Sequence, residues 1–227
     1  MPKKPTPQPA KEAKKKVFIV DDHPVFRDGL VRIVGQNAAL VVCGEADNAA
    51  QAFGDICRLD PDLVLMDIGL PGKSGLELLQ DVHAYKPELP VLIISMHDET
   101  LYAERVLRAG GRGYIMKQEG PEKMTQAINK VLSGQVYVSE RIAATILDAL
   151  SRPRSAATTS VLAKLTDREL EVLRLTGQGK DNRMVAEELH ISLKTVDTHR
   201  AHLREKLGLK NATELIHYAV RWVGEQV

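Results

Sequence analysis

Residues 62–79 have the sequence DLVLMDIGLPGKSGLELL, and this stretch decides the fold. Its four consecutive apolar residues, LVLM, are followed by Asp67, a glycine-rich loop and an amphipathic segment. A continuous apolar run of this length is typical of a parallel strand that is buried on both faces. Parallel neighbours need a helical crossover, so the stretch predicts a strand–loop–helix unit with Asp67 at the carboxyl end of its strand.

The same alternation of apolar runs and amphipathic segments occurs five times along the first part of the chain. It predicts strands at residues 17–20, 40–43, 63–66, 91–94 and 113–116. It predicts helices at about residues 24–35, 48–59, 75–85, 100–109 and 121–133. Five such units specify an α/β doubly wound, five-stranded parallel sheet of the flavodoxin-like type.

The last part of the chain shows only helical periodicity. We predict four helices there, which form an all-α domain, at residues 167–176, 182–189, 193–207 and 211–223. A Pro- and Lys-rich start with almost nothing to bury predicts a disordered arm. The predicted boundaries are a disordered basic arm at residues 1–15, the α/β domain at 16–136, a linker with one short helix at 137–160, and the helical domain at 161–227.

Composition and charge exclude several classes of protein. The two cysteines cannot form a disulfide framework or a zinc site, and no apolar run approaches the roughly 18 residues that cross a bilayer. We therefore expect a cytoplasmic protein without a membrane partner. Residues 17–139 carry 11 basic and 17 acidic side chains, a net charge of −6, and residues 161–227 carry 11 and 10. Because no large basic surface exists, any contact with DNA must depend on the local placement of charge.

Polar side chains follow four of the five predicted strands. In open α/β sheets, ligands bind outside the carboxyl ends of the strands. Three carboxylates, one hydroxyl and one ammonium group are expected at that edge, from Asp21, Asp22, Asp67, Ser95 and Lys117. Oxygen ligands without His or Cys favour a hard cation, most naturally Mg²⁺. A carboxylate can also attack phosphorus, and a cation together with an ammonium group would stabilise the transferring phosphoryl group.

Two other interpretations of these residues were weighed. An aspartate at the end of a strand is often only a helix cap, but five such groups at one edge favour a functional site. The tripeptide Gly72-Lys73-Ser74 resembles the end of a phosphate-binding P-loop. That motif requires a glycine five residues before Gly72, where this chain has Asp67, so nucleotide binding is not predicted here.

The segments FIVDDHPVFRDGL (18–30), DLVLMDIGLPGKSGLELL (62–79), LIISMHDE (92–99) and AGGRGYIMK (109–117) resemble a response-regulator receiver domain. The resemblance covers roughly residues 16–136. It implies that Asp67 accepts a phosphoryl group from a sensor histidine kinase. Gly69 and His97 occupy positions that tune the loss of phosphate in the family. The resemblance assigns the phosphoryl-contacting Lys117, the switch pair Ser95 and Tyr114, and the Mg²⁺ ligands Asp21, Asp22, Asp67 and the backbone carbonyl of Gly69.

Residues 165–207 combine a capped helix, a short helix, a tight turn and a longer helix. Thr166 and Glu169 have the spacing of a capping box, so Glu169 is interpreted as a cap. A plain helical bundle would show the same periodicity as a helix-turn-helix. The exposed face of the longer helix favours DNA, because its side chains suit phosphates and base edges: Lys194, Thr195, Thr198, Arg200 and Arg204.

The stretches LTDRELEVLRL (165–175) and ISLKTVDTHRAHLREKLGL (191–209) resemble the LuxR-type DNA-binding domain of NarL/FixJ regulators. The resemblance implies a helix-turn-helix that begins at Asn182 and ends at Ala201. Asp197 and Ala201 stand where some relatives have lysine. The apolar stripe of the last helix is wider than one packed face needs, so it predicts either a homodimer on activation or a larger core.

Together the two resemblances imply a phosphorylation-activated, DNA-binding transcriptional regulator of a two-component system. Such a protein is not an enzyme beyond its own phosphotransfer and dephosphorylation. The short linker would let the acidic receiver fold back over the recognition helix until Asp67 is phosphorylated. Two alternatives remain open from the residues alone. One is a phosphotransferase acting on small molecules, and the other is a DNA-binding protein with a vestigial receiver.

Overall fold

Five parallel strands form the centre of the α/β domain. The structure, a computed structural model, describes residues 13–151 and 161–224. The strands are β1 Lys15–Val20, β2 Leu40–Ala46, β3 Leu63–Met66, β4 Val91–Ser95 and β5 Gly113–Met116. Their order across the sheet is β2-β1-β3-β4-β5, so the direction of chain progression reverses beside β1. The predicted fold class is confirmed.

Helices cover both faces of this sheet. They are α1 Pro24–Gly35, α2 Ala49–Leu59, α3 Gly75–Tyr85, α4 Glu99–Arg108 and α5 Pro121–Leu132, followed by α6 Glu140–Ser151. Side chains of β1 alternate between two buried clusters, with Phe18 and Val20 in one and Val17 and Ile19 in the other. Successive side chains of a strand point to opposite faces of the sheet. Because both faces are buried here, each strand is apolar throughout.

Two strands, β1 and β2, are longer by more than one residue than the apolar runs indicated. β1 begins at Lys15 because Asp62 accepts a hydrogen bond from the Lys16 amide at 2.8 Å and pairs with the Lys15 ammonium at 3.0 Å. β2 continues to Ala46 through an irregular register beside Phe18. Gly44 makes this possible, since a Cβ there would lie 2.7 Å from the Phe18 ring. Most of the predicted arm, residues 1–12, and the linker residues 152–160 lie outside the described residues.

The second domain is helical, as predicted. After a 3₁₀ turn at Val161–Lys164 come α7 Asp167–Gly177, α8 Asn182–Glu188, α9 Leu193–Leu207 and α10 Ala212–Gly224. The predicted capping box of α7 is present, and Glu169 is its cap. The side chain of Ser192 accepts the Thr195 amide and so begins α9. Among the described residues, no helix is both long and apolar enough to cross a membrane.

The two domains share one buried apolar cluster. Leu165 and Leu170 of the helical domain belong to the same cluster as Leu70, Leu76 and Tyr102 of the α/β domain. The helical domain therefore packs against the face of the sheet that α3 and α4 cover.

Gly75 fixes the loop that follows β3. A Cβ at Gly75 would lie 1.8 Å from the backbone oxygen of Asp67, and the Gly75 amide donates to Ile68 at 2.8 Å. We predict that Gly75→Ala lowers the free energy of unfolding by about 1–3 kcal/mol, because the loop must move. Gly54→Ala is the matched control. Gly54 is exposed inside α2 with no atom within 4 Å of an added Cβ, so alanine should stabilise by roughly 0.5–1 kcal/mol. Urea denaturation checks both values, and equal effects of the two changes would contradict the close approach.

Candidate functional site

The backbone ladder continues past the strands and fixes the two central aspartates. The Asp21 amide donates to Ala46 at 3.1 Å, and the Asp67 amide donates to Val20 at 2.9 Å. β1 and β3 are neighbours, so these carboxylates lie side by side at the carboxyl edge of the sheet. Both are buried, with Asp21 at 1% and Asp67 at 4% exposure.

Lys117 connects the two carboxylates. Its Nζ lies 2.7 Å from Asp21 Oδ2 and 2.6 Å from Asp67 Oδ2, and its side chain is 4% exposed. The Lys117 amide donates to Ser95 at 2.8 Å, which ties the end of β5 to the end of β4. The ring of Phe26 lies 4.7 Å from the ammonium group and covers it. The structure therefore brings together four of the predicted site residues: Asp21, Asp67, Ser95 and Lys117.

The site has more negative charge than Lys117 balances. Burial raises the pKa of Asp21, and the nearby charge of Asp67 raises it further, while Lys117 opposes both. Each of Asp21, Asp22, His23 and Asp67 offers a ligand atom, and these atoms lie within 4.8 Å of one another. A divalent cation would offset both the burial and the charge repulsion that raise the pKa of Asp21. The donor set, in which carboxylate oxygens predominate, fits a hard cation.

The loop after Asp67 lies beside the Asp67 carboxylate. This position is compatible with the predicted role of the Gly69 carbonyl as a metal ligand. An added Cβ at Gly69 would be 3.7 Å from Asp67 Oδ2. Sequence reasoning did not single out His23, whose Nδ1 lies 2.7 Å from Asp22 Oδ1. The sequence feature that could have identified His23 is its position directly after two aspartates. Arg27 was also missed, although it donates to the Asp21 backbone oxygen at 2.6 Å.

Ser95 and Tyr114, the predicted switch pair, meet at the backbone of His97. Ser95 Oγ accepts the His97 amide at 3.3 Å, and the Tyr114 hydroxyl donates to the His97 carbonyl at 2.7 Å. Tyr114 is already buried, and burial raises its pKa. The His97 imidazole stacks on Tyr102 with ring centroids 5.0 Å apart, and burial lowers its pKa to about 4.

The predicted DNA-binding side chains divide into two groups. Lys194 and Thr198 are exposed on α9, with Thr195 and Arg204 partly exposed. Arg200 lies on another side of the helix. Its Nη2 donates to Thr176 Oγ1 of α7 at 3.0 Å. Burial lowers the pKa of its guanidinium.

Asp197 has a local partner. The Asn182 side-chain amide donates to Asp197 Oδ1 at 2.5 Å and so joins the start of α8 to α9. An acid at this position is therefore compatible with a helix-turn-helix, because it accepts a hydrogen bond from the neighbouring helix.

The α/β domain contacts the helical domain beside the recognition helix. Arg105 of α4 donates to the backbone oxygens of Leu162 and Leu165 at 2.5 and 2.8 Å. Arg168 of α7 donates to Leu70 in the other domain at 3.2 Å. The receiver does not cover the recognition helix as predicted. It packs against α7 and the 3₁₀ turn, and Lys194 of α9 stays exposed.

Comparison with known proteins identifies both domains. Residues 17–129 match the family described as "Response regulator receiver domain", and residues 163–219 match "Bacterial regulatory proteins, luxR family". The chain is 36% identical over 210 residues to the oxygen regulatory protein NreC of Staphylococcus aureus, covering 91% of this chain and 97% of that protein.

Solved structures agree with this result. A LuxR-family two-component response regulator from Aurantimonas sp. SI85-9A1 superposes with a TM-score of 0.57 at 31% identity, covering 62% of this chain and all of that chain. The RcsB response regulator of Salmonella typhimurium gives a TM-score of 0.63 at 25% identity, covering 92% of this chain and 98% of that one.

Replacing Asp22 tests the cation site. We predict that Asp22→Asn weakens Mg²⁺ binding by about tenfold or more. The reason is that replacing even a residue that only supports a metal ligand typically lowers metal affinity by roughly 10- to 100-fold. Isothermal titration with MgCl₂ measures the affinity. Asp55→Asn is the control, because Asp55 pairs with Arg58 on α2 and is not part of the cluster of Asp21, Asp22, His23 and Asp67. An unchanged affinity in Asp22→Asn would place the cation elsewhere.

Proposed function

Because the chain belongs to the LuxR family of two-component response regulators, we propose that Asp67 accepts a phosphoryl group from a sensor histidine kinase. The modification then controls DNA binding by the helical domain. The observation that carries this proposal is the buried arrangement of Asp67 beside Asp21, with Lys117 bridging both carboxylates. The protein is expected to act in the cytoplasm, where its DNA is found.

Each residue of the site has a separate role in phosphoryl transfer. A carboxylate oxygen of Asp67 attacks phosphorus while the bond from phosphorus to the donor nitrogen breaks. Lys117, already 2.6 Å from Asp67 Oδ2, stabilises the added negative charge. Ser95 Oγ, now an acceptor of the His97 amide, turns its own proton toward a phosphoryl oxygen.

Mg²⁺ would be held by Asp21, Asp22, Asp67 and the Gly69 carbonyl, and it would neutralise charge on the phosphoryl oxygens. The same residues give no support to a phosphotransferase acting on small molecules. Such an enzyme needs a general acid near the nucleophile, and the position two residues after Asp67 is a glycine. A vestigial receiver would not need the Lys117 contacts.

The DNA-binding surface centres on the exposed face of α9. Lys194, Thr195, Thr198 and Arg204 remain the proposed contacts with double-stranded DNA. Arg200 is proposed to act indirectly, because its guanidinium holds α9 against Thr176. Ile216 and Val220 of α10 are 44% and 50% exposed, and they are the proposed contact between two copies on activation. Two-fold pairing suits inverted half-sites.

Replacing the phosphoacceptor tests the first half of the proposal. With acetyl phosphate and Mg²⁺, wild-type protein should gain one acid-labile phosphoryl group, detected by mass spectrometry. Asp67→Asn should gain none, because an amide is not a competent nucleophile. Asp98→Asn, an exposed cap of α4, should be labelled like wild type. Stable labelling of Asp67→Asn would refute the assignment.

Replacing surface cations tests the second half. Lys194→Ala and Arg204→Ala should each weaken DNA binding and lower the slope of log affinity against log salt by roughly one. Their sequence preference should change little, because phosphate contacts position a protein without specifying bases. Fluorescence anisotropy at several salt concentrations measures the slope. Lys123→Ala on α5 is the control and should leave it unchanged. A new sequence preference with an unchanged slope would mean that these side chains contact bases.

A further inference from the structure

One face of α9 is exposed along the first half of the helix. Val196 and Leu203 are buried and mark the side that packs on the rest of the domain. His199, on another side, lines the cavity between the two domains. Between these sides, exposed residues recur at intervals of three and four, which is the spacing of one helix face. They are Lys194, Asp197, Thr198 and Ala201. This exposed face is the part of α9 that can enter a major groove, which is wide enough for a helix.

The carboxylate of Asp197 is held in one orientation on this face. Asn182 Nδ2 donates to Asp197 Oδ1 at 2.5 Å across the turn between α8 and α9. Asn182 is the first residue of α8, and the cap Asp181 fixes the start of that helix by accepting the Met184 amide at 2.8 Å. Nothing in residues 13–151 and 161–224 donates a hydrogen bond to the second oxygen of Asp197, Oδ2. Asp197 therefore offers one oriented acceptor atom.

The cation nearby on α9 is engaged elsewhere. The charge of Asp197 opposes the lowering of the Arg200 pKa, so the two groups sense each other. The Arg200 guanidinium nevertheless donates to Thr176 Oγ1 at 3.0 Å and to the Lys180 carbonyl at 3.5 Å. A carboxylate on a face that approaches DNA is repelled by the phosphates. Such a residue weakens binding unless its free oxygen meets a hydrogen-bond donor.

One base offers a suitable donor without an acceptor beside it. In the major groove, cytosine presents its N4 amino group. Adenine presents a donor together with the N7 acceptor, guanine presents two acceptors, and thymine presents an acceptor and a methyl group. A carboxylate oxygen is attracted to the cytosine edge and repelled by the acceptors of the other three bases. Repulsion of the wrong partner is itself a source of specificity.

The neighbours of Asp197 on the exposed face are small. Ala201 lies one turn later, and the Thr198 hydroxyl donates back to the Lys194 carbonyl at 2.9 Å. Aspartate is a short side chain, so it reaches a base edge only where the helix backbone comes close to the floor of the groove. The small neighbours allow that approach. The longer side chain of Lys194 can meanwhile reach a phosphate at the side of the groove.

We propose that Asp197 reads a cytosine in each half-site through Oδ2, and that Asn182 is the positioning residue that holds its carboxylate. The inference rests on the proposed function, because it assumes that α9 enters the major groove of DNA. It assigns one base pair of that DNA, which the phosphate contacts of Lys194 and Arg204 cannot specify. The acid at this position then changes which base is selected.

Four variants separate base reading from support of the helices. Asp197→Asn removes the charge but keeps the oxygen that Asn182 binds, so the contact between α8 and α9 is retained. Asp197→Ala removes every side-chain acceptor. Asn182→Ala leaves the carboxylate in place and removes its support. Glu205→Gln is the matched control, because Glu205 is an exposed acid of the same helix about two turns further on.

The measurement uses full-length proteins. Wild type and each variant select duplexes from a random pool, with and without acetyl phosphate. Fluorescence anisotropy then measures the affinity of each protein for the wild-type site and for every single base-pair replacement, made in both half-sites together. Circular dichroism and thermal melting verify that each variant is folded.

Wild type should require C·G at one position of each half-site, and each replacement there should weaken binding by roughly 5- to 150-fold per half-site. Asp197→Asn should lose this preference and favour A·T at the same position, because an amide matches adenine N6 and N7. Asp197→Ala should show no preference there, and Asn182→Ala should show a reduced preference for C·G. All three should keep the wild-type preference at the other positions, and Glu205→Gln should match wild type throughout.

Two results would show that Asp197 does not read a base. One is an unchanged preference at every position in Asp197→Asn and Asp197→Ala, or a change at a position that is not C·G in wild type. The other is a uniform loss of affinity across all sites in folded Asp197→Ala and Asn182→Ala proteins, which would mean that this contact only orients the two helices.

Failure of the proposed function gives different results. If wild type enriches no duplex in either condition, the DNA-binding half of the proposed function fails, and the assignment of Asp197 fails with it. If wild type enriches a duplex but takes no phosphoryl group at Asp67, only the phosphorylation half fails. The preferences of the unmodified proteins then decide the role of Asp197 by the same criteria.

Discussion

The two ion contacts of Lys117 are the constraint on which the rest of the structure depends. Asp21 and Asp67 come from adjacent strands and are almost fully buried, so their charges would repel without a cation between them. Lys117 directly follows β5, which β4 separates from β3. Strands are about 4.8 Å apart, so only a long side chain reaches across that distance. The strand order and the length of lysine together allow one ammonium group to serve both carboxylates.

The same edge of the sheet supplies the loops that contact the DNA-binding domain. The loop after β3 follows Asp67 directly, and the loop after β4 follows Ser95 directly. Both loops are tied to the site, since Gly75 packs on the Asp67 backbone and the Tyr114 hydroxyl donates to the His97 carbonyl. The contacts of α7 therefore lie only one loop away from Asp67 and from Ser95.

Sequence alone predicted the sheet, its helices and the residues at the carboxyl edge, because hydrophobic period and strand direction determine which side chains meet there. It placed Arg200 on the DNA face, whereas the structure turns that side chain toward Thr176. It also gave no partner to Asp197, which Asn182 binds across the turn. Periodicity identifies the polar side of a helix. It does not reveal whether that side meets solvent, DNA or a domain distant in sequence, which is why Arg168 and Glu171 were missed.

The polarity of the α7 contact has a physical consequence. An apolar interface of the same size would hold the domains together whatever the charge at Asp67, since hydrophobic contact is non-directional. A buried ion pair contributes little net stability when fully satisfied and becomes costly when its partners leave. The polar part of this contact thus depends on the positions of the Leu70 and Gly72 carbonyls, and it lies beside the apolar cluster that the two domains share. Arg168 and Glu171 lie against the loops that follow Asp67 and Ser95, so these two loops carry the polar part of the contact between the domains.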